Sequence, residues 1–174
     1  LVDRFASFAD TTPHDQTRVN LNRTVKELLE RNGDRMPPGI DLQVDLDEAL
    51  PYLLVNQGQL RQVCWNIFQN AIESMPQGGR FSCQTSACWT RHRRGSDRGP
   101  GSQSCFARLR ISDTGDGMDA KTQAAMFDPF FTTRSGKGRG LGATVAYTTV
   151  RAYGGFIEVS SEPGSGTRVD LYLP

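Results

Sequence analysis

No excess of one charge sign marks this chain: 20 Lys and Arg stand against 19 Asp and Glu, a formal charge of +1 at pH 7. Without a broad basic field there is no overall case for nucleic acid as a partner. Histidine is scarce, with His14 and His92 alone. The four cysteines, Cys64, Cys83, Cys88 and Cys105, form no CxxC pair and have no histidine at zinc-finger spacing. That argues against a zinc site, and against a disulfide scaffold in a chain of 174 residues. The thiols are expected to be reduced, in a cytoplasmic protein. No apolar run approaches the roughly 18 residues that a spanning helix needs, so no segment is expected to be membrane-embedded. No signal-peptide pattern is visible. The chain opens at Leu1 without Met and reads as an excised piece of a longer protein, compatible with a membrane anchor elsewhere in that parent.

What is present is globular in composition, with 37% hydrophobic residues, enough for one domain with a real core. Leu1, Val2, Phe5, Phe8 and Ala9 share one face at helical spacing, and Pro13 closes that segment. A second helical pattern spans roughly 21–31. Ile40, Leu42, Val44 and Leu46 alternate with Asp41, Gln43 and Asp45, which predicts a half-buried strand. A long helix is expected over 57–75, then a strand over 80–88 and a polar, Arg-rich loop over 91–104. A strand follows over 105–112, with Ala107, Leu109 and Ile111 inward. A short helix starts at the cap Asp119 and ends near Phe127. Residues 134–142 are Gly-rich and lead into a helix over 141–153. The chain ends in a hairpin, 156–161 and 167–173, joined by a Pro-Gly turn. This mixture predicts one helix layer on a mixed or antiparallel sheet.

The long helix has a wide apolar face of Leu60, Val63, Cys64, Ile67, Phe68, Ala71 and Met75. Its other arc carries Gln59, Gln62, Asn66, Gln69, Asn70 and Glu73. A solvated face usually holds Lys, Arg and Glu, and Asn is a poor helix former. An amide-rich face can be an accident of composition, or an amide pair buried against backbone. Alternatively, the Asn carbonyl oxygens are ligands for a hard cation such as Mg²⁺, which takes few protein oxygens plus phosphate and water.

Three glycine-bearing segments follow. In Asp113-Thr114-Gly115-Asp116-Gly117-Met118 a carboxylate at a strand end could accept a hydrogen bond from a ring amino group. The segment Arg134-Ser135-Gly136-Lys137-Gly138-Arg139-Gly140-Leu141-Gly142 opens a helix, whose first N–H groups favour an anion. It lacks the Walker spacing. Gly164-Ser165-Gly166-Thr167 is explained by a hairpin turn unless Thr167 faces a pocket. Each segment alone is equally a turn or a loop. Between the first two lies Phe127-Asp128-Pro129-Phe130-Phe131-Thr132-Thr133, whose phenylalanines could anchor a lid.

Together and in this order, these segments resemble the ATP-binding catalytic domain of sensor histidine kinases of two-component systems, in the superfamily that includes gyrase, MutL and a heat-shock chaperone. Residues 66–71 are similar to the family's asparagine box, 113–118 to its first glycine box, 127–133 to its phenylalanine box, and 138–142 and 164–167 to its later glycine boxes. The resemblance covers about residues 20–174. It implies an α+β fold: a two-layer α/β sandwich of Bergerat type, helices on one face of a mixed, mostly antiparallel sheet. It implies residues 1–12 as the end of a dimerisation and histidine-phosphotransfer helix and 13–174 as the catalytic domain. The implied ligands are ATP and Mg²⁺, with Asn70 on the metal and Asn66 beside the phosphates. Asp113 would take the adenine amino group, with Gly115, Gly117, Met118 and Thr167 around the base. Phe131, Thr132, Thr133, Gly138, Gly140, Leu141 and Gly142 would complete the nucleotide site, and Lys137 and Arg134 would assist catalysis at the phosphates. The Phe130-Phe131 pair would anchor the lid. The implied partners are the phosphoacceptor-histidine domain of the same protein, a response-regulator receiver domain, and a second copy in a homodimer.

Neither His14 nor His92 sits in the family's acceptor setting, so the fragment is expected to bind ATP without phosphorylating itself on histidine. Departures from the family pattern are a short lid, Ala143 where Leu is usual, Asn56 where Asp is frequent, and the insertion-like loop 91–104. Hydrolytic members of the superfamily carry a general-base Glu four residues before the metal Asn. Here that position is Asn66, which cannot take a proton from water. A non-catalytic interaction module and nucleic-acid binding through the basic loop are the other readings, the latter disfavoured because the loop has no aromatic interleaving.

Overall fold

The computed structural model describes residues 16–33, 36–91, 103–133 and 140–174. The expected helix over 1–10 and most of the loop 91–104 lie outside these.

Strand β1 (Thr17–Val19) leads into helix α1 (Leu21–Asn32). Asn20 caps α1, its side chain accepting from the Arg23 N–H at 2.9 Å, so the entering chain turns without leaving that donor unpaired. Strands β2 (Ile40–Leu46) and β3 (Leu53–Val55) follow, then helix α2 (Gln57–Glu73), capped by Asn56. Strands β4 (Gly79–Arg91) and β5 (Gln103–Asp113) form a long antiparallel pair. Helices α3 (Ala120–Ala125) and α4 (Gly142–Ala152) precede the closing hairpin of β6 (Phe156–Glu162) and β7 (Gly166–Leu173). The main sheet has the order β2-β4-β5-β7-β6, and only the β2–β4 pair is parallel. β1 and β3 form a separate antiparallel ribbon.

The core lies between this sheet and the helices. Leu60, Val63, Cys64, Ile67, Phe68 and Ala71 of α2 are buried, as the apolar stripe predicts. Phe68 meets Phe81 of β4 edge-to-face, with centroids 5.3 Å apart. Leu109, Ile111, Val169 and Leu171 continue this floor under the helix. Burial pushes the Cys64 thiol well up and the Cys83 thiol up to about 12, so both stay protonated and pack as small apolar groups. On the sheet's opposite face Arg110 grips Asp170 with two bonds, of 2.7 and 3.2 Å.

One strand differs from expectation in burial. β2 alternates as predicted, yet Leu42 and Val44 remain 41% and 44% exposed. β2 is the sheet edge, paired on one side only; Ile40 and Leu46 at its two ends pack against the core, while Leu42 and Val44 between them do not. The strands β4 and β5 also run further toward their connecting loop than the expected 80–88 and 105–112, because their register continues unbroken to Arg91↔Gln103.

Candidate functional site

The end of β5, the last turn of α2 and the start of β7 converge on Asp113. This carboxylate is only 8% exposed. Its Oδ1 accepts from the Ser74 hydroxyl (3.0 Å), the Gly115 N–H (2.9 Å) and the Thr167 N–H (3.2 Å). Its Oδ2 has no hydrogen-bond partner among the described residues, although Asp113 lines a cleft of about 60 Å³ with Ile67, Asn70, Met118 and Thr167. Burial raises the Asp113 carboxyl above the usual carboxylate range. The bonds from Gly115, Ser74 and Thr167 oppose that shift, and the nearby Asp116 charge adds to it. Asp113 is thus an acceptor fixed on one oxygen and open on the other.

Two glycines make this corner possible. Gly117 has φ +65°, and a Cβ there would lie 1.9 Å from the Glu162 carbonyl oxygen. Gly166 has φ +91°, and a Cβ there would lie 2.0 Å from the Asp113 carbonyl oxygen. The hairpin β6–β7 is thereby pressed against the end of β5. Ser161 ties the corner together. Its hydroxyl accepts from the Met118 N–H (2.8 Å), donates to the Gly166 carbonyl (2.9 Å) and lies 2.9 Å from the Thr167 hydroxyl.

Ser74 and Ser161 were not among the residues picked from sequence. Ser161 had a usable signal: it continues the inward alternation of Ile157 and Val159 and lies opposite Thr167 in the hairpin register. Ser74 had none, since its role depends on the meeting of α2 with β5.

The two asparagines of α2 occupy different surroundings. Asn70 is half-buried and lines the cleft. Asn66 is 8% exposed; its Nδ2 donates to the Gly142 carbonyl at 2.9 Å, and its Oδ1 accepts from Gln62 Nε2 at 2.9 Å. Gly142 is the first residue of α4. That helix begins at Leu141 with no side-chain cap and no acid in its first turn, so its leading N–H groups suit an anion.

The approach to α4 is held by backbone. The Phe130 N–H donates to the Gly140 carbonyl at 3.1 Å. Phe130 has φ +67° and is 63% exposed, and the lid segment 134–139 that it was expected to anchor lies outside the described residues. The packed ring of this segment is Phe127, which lies against Tyr147 with centroids 4.9 Å apart. Phe131 is half-buried, while Thr132 and Thr133 are exposed. Arg134, Lys137 and Gly138 lie outside the described residues.

No group of three or more His, Cys, Asp or Glu is gathered for a metal among the described residues. A cation held wholly by protein therefore finds no cage there. A hard cation that keeps waters and takes ligand oxygens fits better, with the Asn70 amide oxygen as a single protein donor beside the cleft.

The family described as "Histidine kinase-, DNA gyrase B-, and HSP90-like ATPase" matches residues 55–174. Sensor kinase CckA of Brucella abortus is 33% identical over 136 residues, covering 78% of this chain and 14% of CckA. Sensor histidine kinase ZraS of Escherichia coli K12 is 31% identical over 157 residues, covering 90% of this chain and 30% of ZraS. The solved structure of full-length ShkA in complex with AMPPNP superposes with a TM-score of 0.72 at 25% identity, covering 91% of this chain and 31% of that one. The chain thus spans less than a third of the length of these relatives.

Proposed function

This chain belongs to the family of histidine kinase-, DNA gyrase B- and HSP90-like ATPases, and from that premise we propose that it is the catalytic domain of a sensor histidine kinase, which passes the ATP γ-phosphoryl group to a histidine outside residues 1–174. The observation that carries the reading is Asp113 Oδ2, an acceptor without a hydrogen-bond partner among the described residues, on a buried carboxylate that lines the cleft. An adenine amino group is a donor of matching polarity. Thr167 and Met118 line the same cleft and would flank the base.

From there the triphosphate would extend toward the uncapped start of α4, with Lys137 and Arg134 supplying positive charge. Asn70 would hold Mg²⁺ through its amide oxygen, the remaining ligands being phosphate oxygens and water. Bound Mg²⁺ supplies charge neutralisation on the phosphates. The protein's own part is positioning and electrostatic stabilisation, as phosphoryl transfer requires. Asn66 supports transfer over hydrolysis. Its amide has no basic site, so it cannot activate water; one of its Nδ2 protons goes to the Gly142 carbonyl.

In this reading residues 1–12 are the end of the dimerisation and phosphoacceptor helix. The parent acts as a homodimer and hands the phosphoryl group on to a response-regulator receiver domain. Incubating the parent protein with γ-labelled ATP tests this. The expected product is an acid-labile, base-stable phosphoprotein. Release of free phosphate alone would return the hydrolytic reading.

A further inference from the structure

Five successive residues of β2, from Asp41 to Asp45, are exposed, so both faces of the strand meet solvent in its middle. Among the described residues β2 has one neighbour, β4, and along its other side the backbone N–H and C=O groups that point outward meet no strand. Proteins usually blunt such an edge with proline, lysine, a bulge or a covering segment. Ile40–Leu46 contains no Pro, Gly, Lys or Arg, and its register with β4 runs from Ile40↔Gly79 to Leu46↔Thr85 without a bulge.

The two faces of this edge differ in chemistry. Leu42 and Val44 lie on the helix side, level with the buried Phe81 and Cys83, yet remain exposed. Asp41, Gln43 and Asp45 lie on the opposite side, and Asp47 and Glu48 follow; residues 40–48 carry no base. Arg80 meets Asp41 at 3.2 Å, but both side chains are 60% exposed, so this pair offsets little of the negative charge. Asp45 meets only the neutral Gln84, at 3.5 Å. A second copy is a poor occupant. Antiparallel pairing of β2 with itself over its full length, centred on Gln43, sets Asp41 against Asp45 at both ends, and like charges directly opposite are destabilising. A strand with basic residues at those positions reverses the sign, and apolar residues between them would cover Leu42 and Val44.

We propose that the free edge of β2 is a docking site for an extended protein segment that alternates basic and apolar residues and joins the sheet as a sixth strand. Backbone hydrogen bonds along the edge supply affinity, and the alternating side chains supply selection. No residue lining the cleft at Asp113 belongs to β2, so the nucleotide site stays open while the edge is occupied. The proposal is independent of the kinase reading.

The test titrates this chain with a synthetic heptapeptide of alternating lysine and valine, followed by amide NMR. Saturable binding is expected with a dissociation constant of about 1 mM or below, with shifts confined to β2 and its neighbour β4 and with slowed hydrogen exchange at the free edge. Binding should weaken as salt rises. A matching peptide of alternating glutamate and valine should bind about tenfold more weakly. The double substitution Asp41→Lys with Asp45→Lys should invert that preference. Val44→Lys, a charge on the apolar half, should abolish binding of either peptide. All three positions are exposed, and the dispersion of the amide spectrum reports that the variants are folded. No binding, equal affinity for the two peptides, a preference that the double substitution leaves unchanged, or shifts centred away from β2 overturns the proposal. A dimer in sedimentation that Val44→Lys dissolves would make a second copy the occupant and overturn it as well.

Discussion

Asp113 keeps its two carboxylate oxygens in different states, and that asymmetry gives a sharp test. Ser74, Gly115 and Thr167 all donate to Oδ1. In the isosteric Asp113→Asn variant those donors would claim the amide oxygen, leaving the NH₂ to face the cleft. A donor would then meet the adenine amino group. The variant should lose roughly tenfold or more in ATP affinity, the cost of mispaired buried polar groups, and favour inosine triphosphate, whose ring offers an oxygen at that position. Acidification adds a second arm. Burial raises the Asp113 carboxyl, and an amino donor favours the ionised form. Wild-type ATP affinity should therefore fall as pH drops through that raised pKa, while Asp113→Asn gives the baseline set by the phosphates alone. Calorimetric titration with both nucleotides across pH checks this; equal nucleotide preference in the two proteins would count against it. At this scale the sequence was informative where a residue type is rare in its setting. Asn66 and Asn70 stood out on a helix face, and Asp113 stood out between a strand and glycines. Ser74 was hidden, because Ser is an ordinary surface residue until a partner from a distant segment arrives, and Ser161 carried only the hairpin alternation as a signal.

Helices α2 and α4 are joined at two places. Near the glycine-rich segment the bond is Asn66 to Gly142. At the far end, the Tyr153 hydroxyl accepts from the Asn56 N–H at 3.0 Å and donates to Gln59 Oε1. Tyr153 thus fastens the end of α4 to the start of α2, and with Asn66 it fixes where Gly142 sits. Tyr153→Phe leaves the ring in place but strands both partners. It should lower stability by about 1–3 kcal/mol, read from chemical denaturation. A midpoint equal to wild type would show that the hydroxyl is not structural. Both helices were legible from apolar periodicity, and their ends fell within a few residues of expectation. The ribbon strands Thr17–Val19 and Leu53–Val55 were not, since three residues are too few to display alternation. β2 displayed alternation clearly, but alternation reports that a face is apolar, not that something covers it. Leu42 and Val44 show the difference.

Across the whole molecule, the order of motifs along the chain becomes a single corner of space. Segments near residues 66–74, 113–118, 140–142 and 161–167 meet through the hydrogen bonds of Asp113, Ser161 and Asn66. The sheet explains why: β5 is central, so its end at Asp113 lies beside the start of β7 and beneath the end of α2. The helix-on-sheet architecture could be anticipated from the succession of periodicities. The strand order could not, because pairing β5 with β7 depends on long-range register that no local pattern carries. The central claim is that this corner binds MgATP, through Asp113 at the base and Asn70 at the metal. Calorimetric titration of MgATP into this chain, beside Asp113→Ala and Asn70→Asp, tests it most directly. The account predicts saturable binding by the wild type and a loss of about tenfold or more in each variant, as expected for removing a buried or charge-assisted contact. Unchanged affinity in both variants would contradict it.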